Sequence, residues 1–341
     1  MQTIHNKINK LFYNWLLVSL FMVVCMIAVG GLTRLTNSGL SITEWELFSG
    51  ILPPLKKETW DNYFFLYKQI PQFKLLNSDM TLEQFKIIFY WEYFHRILGR
   101  LIGLFFLIPL VIFHFSKKIN IKYLSTCYLI LFLIIIQGFV GWYMVSSGLV
   151  IDTTVSHYRL SLHLSIAFLI TVLIFWLIIN FKNNTFKLFF NDLRGNYLFY
   201  ILIFSIFFQV VIGAFVSGLD AGKIYQTWPL MNYTYFPNDL NITNFKDFFN
   251  FENHSLVQFY HRNIAYLIVI YILFLGFFIL KNKIKKIIKA YYLLFSLILV
   301  QVFLGIITLL SDLNIYVASA HQLTSLLLVL SAINLYYCHL K

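Results

Sequence analysis

Charge is scarce in this chain: Asp, Glu, Lys and Arg make up only 12% of its 341 residues. A soluble globular domain carries about 25%, so a largely solvated surface is excluded. Acidic residues are scarcer still, 14 against 26 basic ones, for a net charge of +12. Cysteine is rare too. Cys25, Cys127 and Cys338 lie singly in three different apolar stretches, which excludes an exported disulfide framework and leaves them as small buried hydrophobes. No cleavable leader is expected either. The first apolar run follows Lys7 and Lys10 and continues as a full span without a small-residue cleavage site.

What is present is hydrocarbon. Hydrophobic residues make up 60% of the chain, and its mean hydropathy is +0.75. Apolar runs long enough to cross a bilayer recur throughout. Eight spans are expected, at about 15–32, 91–114, 123–144, 159–180, 196–217, 257–280, 290–310 and 316–338. The fold class is therefore an all-α integral membrane protein with eight transmembrane helices.

The basic excess invites a nucleic-acid reading, but its distribution rejects it. With the N-terminus inside, the inner loops hold Lys7, Lys10, Lys117, Lys118, Lys122, Lys182, Lys187, Arg194, Lys281, Lys283, Lys285, Lys286, Lys289 and Lys341, against a single acid, Asp192. The other acids fall in or beside the outer segments. This is the positive-inside pattern, and it places both termini in the cytoplasm and the long loops 33–90 and 218–256 outside. Those loops contain Trp45, Trp60, Trp91, Trp228, Pro53-Pro54 and Pro229, and read as ordered interfacial covers.

The chain also repeats itself. Glu92-Tyr93-Phe94-His95-Arg96, Gln137-Gly138-Phe139-Val140-Gly141 and His163 in the first half answer to Gln258-Phe259-Tyr260-His261-Arg262, Gln301-Val302-Phe303-Leu304-Gly305 and His321 in the second. Gly30-Gly31 through Trp45 parallels Gly213-Ala214 through Trp228. Two pseudo-symmetric four-helix bundles are expected, with domains 1–194 and 195–341.

Histidine within hydrocarbon is costly unless paired or coordinated. Packing alone does not call for an imidazole at four matched positions, so His95, His163, His261 and His321 are candidate metal ligands. Two pairs on alternate helices suit the axial ligation of two haem irons, both near the outer face. The remaining histidines, at 5, 114, 157, 254 and 339, lie at span ends or in loops and receive no role. Five of the six arginines are on the outer side, against the bias of lysine, and Arg96, Arg100, Arg159 and Arg262 flank the histidines. Arg96, Arg159 and Arg262 are candidate contacts for haem propionates, because guanidinium pairs with carboxylate in a bidentate fork. Arg100 lies deeper and reads equally as a snorkelling helix-end residue. Glu92 precedes His95 by three residues, on nearly the same helical face. Its counterpart Gln258 cannot ionise, which makes Glu92 a candidate catalytic group and the two sites unlike in task. The competing reading is an interfacial partner for Arg96 or Arg159.

Taken together, the run from Gly30 to Trp45 (GGLTRLTNSGLSITEW), Gly50-Ile51-Leu52-Pro53-Pro54, Trp91-Glu92-Tyr93-Phe94-His95-Arg96, Thr227-Trp228-Pro229-Leu230-Met231 and Gln258-Phe259-Tyr260-His261-Arg262 closely resemble the haem A synthase family. The likeness covers nearly the whole chain and is nearest to the mitochondrial and alphaproteobacterial branch. It implies an enzyme of the bacterial inner membrane that oxidises the C8 methyl of haem O to the formyl of haem A, for terminal oxidases. It also implies that His95 and His163 hold the substrate haem, that His261 and His321 hold a haem B cofactor, and that Glu92 is the family's essential glutamate. The cysteine pair that another branch carries in the first outer loop is missing, which argues against a thiol relay. Two successive oxidations of the methyl would give a gem-diol that dehydrates to the aldehyde, work for an oxidising metal centre rather than for acid–base residues alone. Expected partners are the bilayer, haem O supplied by a haem O synthase, an electron partner that the residues do not name and, as an option, a second copy of the chain. Two other classes remain open. A dihaem cytochrome b-type electron carrier commonly places its haems on both membrane faces. A transporter built on inverted repeats conflicts with four helices per half.

Overall fold

In a computed structural model, residues 2–45, 49–150, 152–190 and 193–340 are described, and among them there is no β-sheet; one isolated bridge joins Met231 and Thr234. Eight helices are long and apolar enough to cross a membrane. Two compact units divide the chain, Met1–Phe186 and Lys187–Lys341.

The first unit contains α1 (Gln2–Leu35), two short helices α2 (Lys57–Tyr67) and α3 (Pro71–Leu76), then α4 (Leu82–Ser116), α5 (Ile121–Gly148) and α6 (His157–Lys182). Its four long helices form a closed ring in which α1 packs on α4 and α6, and α5 on α4 and α6. The second unit repeats the plan with α7 (Leu193–Gly218), α8 (His254–Lys281), α9 (Ile288–Leu310) and α10 (Ile315–His339). There α7 packs on α8 and α10, and α9 on α8 and α10. In both rings the histidine-bearing helices, α4 with α6 and α8 with α10, stand on opposite corners.

Two boundaries differ from the hydropathy reading. The first span, expected at 15–32, belongs to a helix that starts at Gln2. The second, expected at 91, starts at Leu82. Thr81 caps this helix: its hydroxyl accepts from the Gln84 N–H, while the Gln84 side chain accepts from the Thr81 N–H at 2.9 Å. A capping box starts a helix in polar sequence, where a hydropathy window sees nothing.

The long outer loop of the first unit is not a linker. Trp60, Phe64 and Tyr67 of α2 bury with Leu40, Ile42, Ile70, Phe85 and Phe89 into one cluster over the start of α4. Tyr67 is fully buried, donates to Gln72 Oε1 at 2.9 Å and accepts from Asn77 Nδ2 at 2.7 Å. Burial raises its phenol above the usual range. In the corresponding loop of the second unit one carboxylate gathers two donors: Asp239 accepts from the Tyr225 hydroxyl and, at 2.6 Å, from Ser255 Oγ. Burial pushes the Asp239 carboxyl up, but the Ser255 and Tyr225 donors outweigh it and hold it below the ordinary carboxylate range.

Candidate metal centre

His163 and His321 are each the seventh residue of their helix, and His261 is the eighth. His95 is fourteenth only because α4 begins so early. Within each unit the two imidazoles therefore meet at the end of the ring that faces the long loop. The ring centres of His95 and His163 are 6.5 Å apart, and those of His261 and His321 are also 6.5 Å apart. All four are half-buried.

That spacing tests the group they could hold. Two imidazoles on opposite sides of one metal, with bonds of about 2.0 Å, place their ring centres roughly 6 Å apart. Among the described residues no cluster of three or more His, Cys, Asp or Glu could hold a bare ion. Two imidazoles at this spacing suit a metal that brings its own equatorial ligands, which is the case for haem. In the second unit His321 Nδ1 lies 3.1 Å from the carbonyl of Gln301, a contact that places the proton on Nδ1 and leaves Nε2 to bind. His163 Nδ1 is buried without a hydrogen-bond partner.

A glycine on the neighbouring helix makes room for each imidazole. A Cβ built on Gly30 would lie 3.2 Å from His95 Nε2, one on Gly141 3.1 Å from His163 Cε1, one on Gly213 3.0 Å from His261 Cε1 and one on Gly305 2.9 Å from His321 Cε1. Each ring is thus two glycine-helix and histidine-helix pairs. Gly305→Ala is expected to displace the His321 imidazole and cost about 1–3 kcal/mol by overpacking. Gly103→Ala, where a Cβ meets nothing within 4 Å, is its neutral control. Thermal unfolding of the two variants in detergent measures the difference.

Glu92 is 2% exposed, on the face of α4 that meets the loop after α1. Its Oε2 accepts from Ser41 Oγ at 2.7 Å and from the Ile42 N–H at 2.9 Å. Its Oε1 accepts from Arg96 Nε at 3.0 Å and Nη2 at 2.6 Å. Arg96 also donates to the carbonyls of Ile42 at 2.8 Å and Glu44 at 3.1 Å, and lies over the Trp45 ring. The second unit copies this clamp: Arg262 donates to the carbonyls of Tyr225 and Thr227, both at 2.9 Å. Gln258 is 3% exposed and reverses the polarity of Glu92, donating to the Tyr225 carbonyl at 2.9 Å. Arg159 donates to the Tyr143 carbonyl at 2.6 Å and stacks on that ring.

The three candidate propionate arginines, Arg96, Arg159 and Arg262, thus hold loop or helix-end carbonyls, and the expected neighbourhood of Glu92 and Arg96 is present as an ion pair. Among the described residues Arg159 makes no hydrogen bond through Nε or Nη2, and Arg262 Nε is buried without a partner. The glutamines and the four glycines beside the histidines carried no role in the sequence reading, although Gln-x-x-x-Gly recurs at 137–141, 209–213 and 301–305.

A family model described as cytochrome oxidase assembly protein (COX15-CtaA) matches residues 13–333. A protein named heme A synthase from Pelagibacter ubique is 49% identical over 318 residues, covering 93% of each chain. Proteins of the same name are 42% identical in Rickettsia bellii, covering 92% of this chain and 94% of the relative, and 40% identical in Rickettsia felis, covering 94% and 96%. With a match that runs through both four-helix units and all four histidines, the chain belongs to the COX15-CtaA family of cytochrome oxidase assembly proteins.

Proposed function

We infer that this membrane protein is a haem A synthase, oxidising the C8 methyl of haem O to a formyl group and so supplying haem A to a terminal oxidase. The observation that carries the reading is the pair of imidazoles 6.5 Å apart between ring centres in each unit, in a chain whose relatives bear that name.

His95 and His163 are proposed to hold haem O, and His261 and His321 a haem B. When bound, haem B supplies a redox-active iron that relays electrons. The protein's own part is positional. Four imidazoles would hold the two macrocycles at the loop-side ends of the bundles, where the α2–α3 cover packs over the start of α4. Arg159 and Arg262 have donors left for propionates, whereas the charge of Arg96 is already met by Glu92. Glu92 fixes a carboxylate and the segment 41–44 beside His95, and handles protons of the methyl oxidation. Haem O is proposed to arrive from a haem O synthase through the bilayer, and self-association of the chain is a further option.

Extraction of haems from the purified protein tests the reading. Haem O and haem A beside haem B are expected; haem B alone would place the chain with dihaem electron carriers. The topology is proposed to put both termini in the cytoplasm and both haem sites towards the periplasm. Cysteine labelling at exposed Leu55 and Tyr233 should therefore require no permeabilisation of the inner membrane. Labelling of either only after permeabilisation would invert the orientation.

A further inference from the structure

The glycine that receives each imidazole is preceded, one turn earlier on the same helix, by a residue that reaches the histidine helix. At three of the four places it is glutamine. Gln137 Nε2 donates to the His163 carbonyl at 3.0 Å. Gln209 Nε2 donates to the His261 carbonyl at 2.8 Å and lies 3.1 Å from His261 Nδ1. Gln301 Nε2 is 3.4 Å from His321 Nε2, and the Gln301 carbonyl is 3.1 Å from His321 Nδ1. The fourth place, before Gly30, is Met26. Its methyl lies against α4, 3.4 Å from a Cβ built on Gly99, and a thioether offers no amide. Among the described residues the His95 ring makes no hydrogen bond.

The amide oxygens of Gln137, Gln209 and Gln301 share a second property: all three are buried without a hydrogen-bond donor. A buried unsatisfied acceptor costs about 1–3 kcal/mol, and three at matched positions are not packing accidents. A neutral imidazole that binds metal through one nitrogen carries its proton on the other, and that N–H needs an acceptor. His163 Nδ1, itself buried and without a partner, is such a group beside the Gln137 helix.

We propose that Gln137, Gln209 and Gln301 are positioning residues whose amides tie the neighbouring helix to the backbone carbonyl or ring of histidines 163, 261 and 321, and that Met26 leaves His95 as the one ligand without such an amide beside it, so that the first site exchanges its haem while the second retains it. This rests on the ligation reading above and deepens it. A substrate must enter and a product must leave the first site, and a ligand helix without a glutamine bond at its histidine provides that release. The second site has both ligands supported, as a resident cofactor needs.

The experiment follows haem loss from the purified full-length protein to a haem-free globin, with haem O, haem A and haem B separated chromatographically. The native protein should release haem O and haem A faster than haem B. Met26→Gln should slow release from the first site about tenfold, and Gln209→Leu should speed release of haem B about tenfold, the scale on which outer-shell partners of metal-bound histidine act. Gln209→Glu, which keeps the size but loses the amide N–H donated to the His261 carbonyl, should also speed release of haem B. The low-spin ferric spectrum of the haem B should shift in both Gln209→Leu and the near-isosteric Gln209→Glu, a response that a packing role alone would not give. If Met26→Gln and Gln209→Leu are folded and release both haems at native rates, the proposal is wrong. If instead His261→Ala and His321→Ala keep full haem B, the ligation reading itself fails, whatever the residue at 26 does.

Discussion

Replacing His261 or His321 by alanine is expected to abolish the haem B spectrum of the purified protein while leaving the chain in the membrane. Each imidazole is one of two proposed ligands at its site, and its partner stands 6.5 Å away between ring centres. A single remaining ligand cannot hold the macrocycle at both faces of the iron. The loss extends to stability, because a group that binds only the folded state stabilises it by about 4 kcal/mol when present at a thousand times its dissociation constant. Thermal unfolding and protein abundance should therefore fall together with haem content. His95→Ala and His163→Ala should spare haem B and reduce the bound substrate haem. Retention of both haems and of full activity in all four variants would overturn the pairing.

Glu92→Gln should lower haem A formation by about 100-fold or more, with haem B retained and haem O or a hydroxylated intermediate accumulating. The substitution keeps size but removes the charge that meets Arg96, and it turns an amide N–H₂ towards donors. Four donor groups now converge on this carboxylate, from Ser41, Ile42 and, twice, Arg96. Anchoring and chemistry are separable. Ser41→Ala removes one donor and keeps the charge, so a mild loss is expected. A loss equal to that of Glu92→Gln would reduce Glu92 to an anchor of the loop. Gln258→Glu should create no second reactive site; it would place a carboxylate against the Tyr225 carbonyl that Gln258 now donates to.

The pairing of the four histidines, the spans and the family were legible because each leaves a mark in one dimension: imidazole inside hydrocarbon, runs of hydropathy, repeated strings. What eluded the sequence depends on which helix neighbours which. Gly30 and His95 are far apart in the chain, and only the packing of α1 on α4 brings them together. The role of the arginines was half legible. Their outer bias pointed to anions, yet Arg96 and Arg262 each place donors on carbonyls of the preceding loop, since a guanidinium has five N–H groups and a tight turn leaves carbonyls unmet. Helices α2 and α3 were hidden for a plainer reason. They are short and lie in mixed polar sequence within a segment read only as an ordered cover.

The clamp that ties Arg96 and Glu92 to residues 41–44 joins only parts of Met1–Phe186. On the ribosome, therefore, it can close before any of Lys187–Lys341 has been made. At about 5–20 residues per second, the remainder takes roughly 8–30 s to emerge. During that interval the nascent first half already possesses both of its imidazoles and its own lid. On the proposed ligation, haem delivery to the first site need not wait for the second half, and the order of filling becomes a matter of translation as well as of affinity.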